Sequence, residues 1–258
     1  MDSSHPLFSV LIAQYNNGNF LKQAVESIRR QNYPNIEIII VDDSSEDESR
    51  RIYEEFKQQK DIKIFINDRN YGEGYTKRRC VEKSHGSICG FLDPDDILIE
   101  NAIETMVQLH LSHPEVSIIF SRMYLCDSEM NIEGKSRKLT LPLDKDYFTN
   151  RDYAPEHFVT FKKSSYNLTE GIDARKRAAA DQDMYFKLEE VGELLVIDDF
   201  TLKYRRHSNG LTFGRTMNTT WFWHLITRYE TCIRRGLDIR EYVIKDFLEE
   251  LEKYPINL

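Results

Sequence analysis

Ile88-Cys89-Gly90-Phe91-Leu92-Asp93-Pro94-Asp95-Asp96 is an apolar run that closes on three carboxylates. The apolar part reads as a buried strand, because a short continuous run bounded by turn formers fits a strand covered on both faces. Carboxylates this close repel one another and need a compensating cation, and hard oxygen ligands suit Mg²⁺ or Mn²⁺. A solvated turn is the other reading, since Asp and Pro are ordinary turn formers. The surrounding sequence favours a site. A second acidic pair, Asp42-Asp43, closes the apolar run Ile36-Glu37-Ile38-Ile39-Ile40-Val41. Ligands of open parallel α/β sheets bind outside the carboxyl ends of the strands, so two acidic strand ends predict one crevice.

Working outward, Phe8-Ser9-Val10-Leu11-Ile12-Ala13 reads as a first strand, followed by Phe20, Leu21, Ala24, Val25 and Ile28 at helical spacing with Asn19 as a candidate N-cap. Ile52, Tyr53 and Phe56 mark a second helix and Ile62-Lys63-Ile64-Phe65-Ile66 a third strand. A Gly-containing loop, Tyr71-Gly72-Glu73-Gly74, leads to a basic helix around Lys77, Arg78 and Arg79. Beyond the acidic cluster come a helical stripe from Ile99 to His110 and a strand, Val116-Ser117-Ile118-Ile119-Phe120. Alternation of this kind implies an α/β fold with a mainly parallel sheet flanked by helices. From Asp127 to Asn150 the pattern dissolves as in a surface loop or hairpin. Tyr185, Phe186 and Leu188 then suggest a helix, Leu194-Leu195-Val196-Ile197 a short strand, and Trp221 to Leu258 an aromatic-rich helical tail. Core packing is the simpler role for those aromatics, and contact with a membrane surface is the second.

The formal net charge of −8 over 258 residues argues against a nonspecific nucleic-acid binder, which needs clustered Lys and Arg. No apolar run approaches the roughly 20 residues that cross a bilayer, and Met1 to Leu7 lacks a basic region ahead of a long apolar stretch, so a cytoplasmic protein is expected. Cys80, Cys89, Cys126 and Cys232 show no C-x-x-C spacing, which argues against a zinc site or a disulfide framework.

Several of these stretches, in order, resemble the motifs of family 2 glycosyltransferases: Phe8 to Asn16, Ser27-Ile28-Arg29-Arg30-Gln31, Val41-Asp42-Asp43-Ser44-Ser45 and Phe91-Leu92-Asp93-Pro94-Asp95-Asp96. The resemblance implies a GT-A fold: a nucleotide-sugar-binding α/β half over 1–125, an acceptor-binding and catalytic half over 126–215, and a helical tail over 216–258, all in one continuous domain. It implies an inverting transfer that uses Mn²⁺ or Mg²⁺, a nucleotide-sugar donor, with a UDP-sugar favoured, and a saccharide or lipid-linked acceptor in cell-surface polysaccharide synthesis. Such an acceptor would bring the enzyme to the inner face of a membrane as a peripheral protein.

By the same resemblance Ala13, Gln14 and Tyr15 pack against the base, and Asp42-Asp43 supplies the carboxylate for the uracil imide, with Asp43 favoured. Asp93 turns to the ribose, Asp95 binds the metal that bridges the diphosphate, and Asp96 supports it or stands in as a ligand. Asn70 and Gly72 fit the family's loop. Lys77 falls where the family often has Arg, and Arg78 where it has Asn; each reads equally as a donor contact or as part of a solvated helix face. Asp181-Gln182-Asp183 resembles the segment with the catalytic base, which falls on Asp181 rather than Asp183, although Ala180 replaces the family's preceding Glu. The other reading is that both aspartates simply start a helix and complement its dipole. Tyr204-Arg205-Arg206-His207 is similar to a late Y-R-x-H motif whose His lies by the metal, and imidazole is an acceptable Mn²⁺ ligand. Glu170-Gly171-Ile172-Asp173 resembles a turn that shapes the acceptor wall.

Two other enzyme classes fit poorly. Tyr15-Asn16-Asn17-Gly18-Asn19 after the first strand is not G-x-G-x-x-G, against a nicotinamide dehydrogenase. An aspartyl-phosphate phosphatase would carry its D-x-D after the first strand rather than the fourth. The missing Glu keeps a nonenzymatic alternative in view, an inactive sugar-nucleotide or glycan-binding module.

Overall fold

The computed structural model describes residues 5–137, 147–149, 158–207 and 217–248, with the side chains of 217–219 excepted. Strands β1 (Phe8–Gln14), β2 (Ile36–Asp42), β3 (Ile62–Ile66) and β4 (Ile88–Phe91) lie parallel in the order β3-β2-β1-β4. Helices α1 (Gly18–Arg29), α2 (Ser49–Phe56) and α3 (Glu73–Lys83) make the crossovers between them.

Strand alternation explains how both faces are covered. Val10, Ile12, Ile38 and Ile40 pack on one side with Leu21, Val25 and Ile28 of α1 and Ile52 of α2. Leu11, Ile39 and Val41 face the other way, onto Cys80 and Val81 of α3. Period-2 alternation sends neighbouring residues to opposite layers, and burial of each such side chain contributes about 1.5–3 kcal/mol. The run is apolar throughout because neither face meets water.

Past β4 the sheet becomes mixed. β5 (Ile97–Leu98) precedes α4 (Ala102–Ser112), and β6 (Val116–Cys126) forms a hairpin with β7 (Ile132–Lys135). β8 (Val159–Lys162) inserts antiparallel between β4 and β6, followed by the short α5 (Lys163–Tyr166). After α6 (Ala180–Glu189), β9 (Glu193–Arg205) runs parallel to β6 and antiparallel to β5. α7 (Met217–Arg235) and a π-helical turn, Arg240–Ile244, complete the described chain. The expected surface segment after Asp127 contains the β7 hairpin, while 138–146 and 150–157 lie outside the described residues, as do 249–258 of the expected tail.

The expected cap at Asn19 is displaced: α1 begins at Gly18, whose N–H is received by Asp47 Oδ2 at 2.8 Å. The helix start is satisfied from the β2–α2 loop rather than by its own neighbour.

Candidate active site

The carboxyl ends of β1, β2, β3 and β4 open on one edge. Asp43 N–H donates to Gln14 O at 2.8 Å, Asn67 N–H to Asp42 O at 2.8 Å and Leu92 N–H to Leu11 O at 3.0 Å, which keeps the departing segments in register. The chain turns sharply there: Asn16 and Ser44 hold φ of 51° and 63°. Left-handed non-glycine residues cost about 1–3 kcal/mol each and cluster where function demands a particular geometry.

At this edge the two acids of the first pair divide. Asp42 is fully buried and accepts from Ser45 N–H and Oγ–H. Burial pushes its carboxyl above the usual range even with those bonds. Asp43 organises the next loop: Oδ1 accepts from Asn67 Nδ2 at 2.7 Å and Tyr71 N at 2.9 Å, and Oδ2 from Gly72 N at 2.7 Å. Gly72 has φ of 95°, and a Cβ there would sit 2.6 Å from Arg177 Cδ, so this turn requires glycine. Arg177 in turn reaches Asn70 Oδ1 at 3.3 Å. Tyr15 stands exposed at the β1 end, while Tyr71 and Tyr75 stack at 4.3 Å with Arg69 over Tyr71. The Gln14 amide points inward, 2.8 Å from Ser49 Oγ, so Gln14 offers the crevice its backbone rather than its side chain.

A second cluster forms where the loop after β4 meets the end of β9. His207 Nε2 lies 2.8 Å from Asp95 Oδ2, with both side chains largely buried. Arg205 fixes the acidic loop beneath them: its N–H donates to Asp96 Oδ1 at 2.9 Å and its Nε to Asp95 O at 2.8 Å. Its guanidinium also holds Ser128 O and Gln23 Oε1 and lies over Phe20, whose ring packs against His207. Asp96 Oδ2 is buried without a hydrogen-bond partner among the described residues. Burial, with Asp95 and Asp93 close by, drives the Asp96 carboxyl well above the usual range.

These donors fit a divalent cation. Asp95 and His207 meet at 2.8 Å, and the neighbouring Asp96 keeps one buried oxygen without a partner among the described residues. Among the described residues no group of three or more His, Cys, Asp or Glu is placed to hold a metal ion, so the chain itself would supply only the Asp95–His207 pair. An open set is what Mg²⁺ or Mn²⁺ needs when substrate phosphates and water complete its shell.

The third cluster joins the two halves. Lys77 Nζ, on a side chain only 5 % exposed, lies 2.5 Å from Asp181 Oδ1 and 3.0 Å from Glu73 Oε1, and sits over the Phe91 ring. Burial would lower the Lys77 ammonium, but Asp181, Glu73 and Asp93 hold it well above its ordinary range. Asp181 opens α6 after Ala179 at φ of 57°. Asp183, two residues on, points elsewhere: it is 1 % exposed and accepts from Asp173 N–H at 2.9 Å and Lys187 Nζ at 2.8 Å. It ties α6 to the Gly171–Asp173 turn. That turn docks on α3, where Gly74 N–H donates to Lys176 O at 2.9 Å.

The structure thus brings Asp93, Lys77 and Asp181 together, and separately Asp95, Asp96 and His207. It directs the Gln14 and Asp42 side chains into the interior and Asp183 to the far side of α6. Glu73 escaped notice in the sequence although its spacing of four from Lys77 is a helix ion-pair signal. His224 had no such signal; α7 brings its Nδ1 to 2.7 Å from Gln182 Oε1, beside Asp181.

A family model described as glycosyl transferase family 2 matches residues 9–177. The chain belongs to this family. Chondroitin synthase of Escherichia coli is 28 % identical over 213 residues, a stretch that is 83 % of this chain and 29 % of that protein. The chain therefore spans less than a third of that relative's length. Staphylococcus aureus TarS 1–349, solved with UDP-GlcNAc, superposes with a TM-score of 0.70 at 16 % identity, over 96 % of this chain and 73 % of that one. The mannosyltransferase PcManGT of Pyrobaculum calidifontis, solved with GDP-Man and Mn²⁺, gives 0.65 at 14 % identity, over 90 % and 65 %. These glycosyltransferases share the GT-A fold with this chain, including the mixed half that strand patterning alone left indistinct.

Proposed function

We propose that this glycosyltransferase moves a sugar from a UDP-sugar to a hydroxyl of a glycan or lipid-linked saccharide, with inversion and with the help of a divalent cation. The observation that carries the reading is the Asp95–His207 contact together with a separate Lys77–Asp181 pair, the two linked by Asp93 of the same acidic loop, whose charge Lys77 feels. One group is acidic and imidazole-bearing, as a diphosphate-bridging cation requires. The other provides a carboxylate with 23 % of its side chain exposed, as a base that meets an acceptor requires.

In this reading Tyr15, Ala13 and the loop ordered by Asp43 form the base pocket, with Asn70 and Gly72 as its far wall. Asp93 faces the ribose. Asp95 and His207 would hold the cation, with Asp96 behind them, and it would supply positive charge to offset that of the departing diphosphate. Asp181 takes the proton of the acceptor hydroxyl as that oxygen attacks the anomeric carbon and the bond to the diphosphate breaks. No protein acid is needed for the leaving group. In this reading residues 1–125 make the donor half, 126–215 the acceptor half and 216–258 a tail, of which α7 reaches Gln182 through His224. No helix among the described residues is long and apolar enough to cross a membrane. A lipid-linked acceptor would nonetheless bring the enzyme to a membrane's inner face.

The test is a thermal-shift panel of UDP-, GDP- and dTDP-sugars with and without Mn²⁺, followed by product analysis with the stabilising donor. Specific binding raises the melting temperature by mass action. A Mn²⁺-dependent shift with UDP-sugars alone supports the donor assignment; a shift with GDP- or dTDP-sugars replaces it.

A further inference from the structure

Lys77 is a deeply buried cation of the crevice, its side chain 5 % exposed. Its position predicts a donor contact by family resemblance, yet its ammonium is spent on two carboxylates of the protein, Asp181 and Glu73, and lies over the Phe91 ring. We propose that Lys77 is a positioning residue for the base: it clamps the Asp181 carboxylate in place and sets how readily that group accepts a proton, instead of offering its charge to the donor's diphosphate. This rests on the assignment of Asp181 as base.

Three features support it. The pair spans 104 residues and joins α3 of the donor half to α6 of the other half, so it fixes the base against the donor floor. Glu73 competes for the same ammonium from one turn earlier on α3, which makes the strength of the clamp adjustable. Ala180 precedes Asp181 where the family often carries Glu, so the base lacks an acidic neighbour on its N-terminal side and draws its partner from α3.

The groups around Asp181 have opposing effects. Lys77 favours its ionised form. Glu73 from α3 acts against it as a like charge, and Asp93 after β4 draws on the same lysine. Tyr147, Tyr185 on α6 and His224 on α7 also feel the Asp181 charge. Burial lowers the His224 imidazole, so it adds no cation at neutral pH. Among the described residues Lys77 is the cation in contact with the carboxylate.

The experiment titrates Asp181 directly, by the carboxyl carbon signals of protein labelled with ¹³C-aspartate, with Asp181→Asn to assign the resonance. The same variants give pH profiles of sugar transfer and donor dissociation constants. Lys77→Met should move the Asp181 midpoint and the acid limb of kcat/KM to higher pH by about one unit or more, the direction expected when an opposite charge at contact is lost. Lys77→Arg should restore the midpoint. Glu73→Gln keeps the lysine, removes its competing partner and should move the midpoint the other way, and it carries the test if Lys77→Met does not fold. A midpoint unmoved in either variant overturns the proposal, as does weakened donor binding in Lys77→Met with the acid limb in place. Because the NMR titration needs no turnover, a protein in which Asp181→Asn transfers sugar normally would refute the base assignment while the clamp is measured independently.

Discussion

His207 Nε2 contacts Asp95 Oδ2 at 2.8 Å across 112 residues of chain, joining the loop after β4 to the end of β9. β5 pairs with β9 just before it, Ile97 opposite Lys203, so the acidic loop and the histidine are carried on one piece of sheet. Neither can shift without the other.

Asp95→Ala should abolish the Mn²⁺-dependent part of donor binding and lower turnover by about 100-fold or more, the cost of losing one key electrostatic stabiliser. Calorimetric titration of UDP with and without Mn²⁺ checks the first part. Equal metal dependence in the variant would remove Asp95 from the site.

Arg205 is 4 % exposed, and its head group holds Asp95 O, Ser128 O and Gln23 Oε1. Arg205→Leu leaves these acceptors buried and unpaired, so urea denaturation should show a loss of about 2 kcal/mol or more. Donor affinity should fall as well, because the Asp95–Asp96 backbone loses its anchor.

How much of this was legible in the chain itself follows from where each constraint originates. The first four strands and the crevice they form could be read because each is a local apolar run and two of them, β2 and β4, end in acids, and the D-x-D and Y-R-x-H motifs are local too. β9 was legible only as Leu194–Ile197, since exposed Asp198 and Asp199 break the apolar pattern while pairing with β6 carries the strand to Arg205. β8 is four residues long and exists because β4 and β6 flank it. The inward turn of Gln14 and the cap of α1 by Asp47 depend on partners 35 and 29 residues away, which no local pattern reports.

Gly74 begins α3 with no room for a side chain: a Cβ would lie 2.3 Å from Asp173 O. Gly74→Ala should cost about 1–3 kcal/mol through forced backbone movement. By pushing the Asp173–Lys176 segment off α3 it should also weaken the Lys77–Asp181 junction. A melting curve and a transfer assay on the same variant check both.

Acid should destabilise the protein in two stages. Burial lowers His110 from 6.5 to about 3, so it stays neutral when folded, while the unfolded chain takes a proton below 6.5. Stability is therefore intact above pH 6.5 and falls as the pH drops toward 3. Glu37 resists its own burial through Lys63, Ser9 and the His85 N–H, which together take it from 4.5 to about 2. Its contribution is present above pH 4.5 and is lost toward pH 2. Urea denaturation at pH 7 and pH 5 should show the first stage, and His110→Gln should flatten it.

The most direct test of the central claim compares Asp181→Asn with Asp183→Asn in sugar transfer and donor binding. Asp181→Asn should keep the donor dissociation constant and lose transfer by roughly 100- to 10,000-fold, because the amide cannot accept the acceptor's proton. Asp183→Asn weakens the pairing with Lys187 and should lower stability by about 1 kcal/mol or more while transferring sugar at a rate near wild type. Undiminished transfer by Asp181→Asn, or loss of transfer confined to Asp183→Asn, would contradict the account.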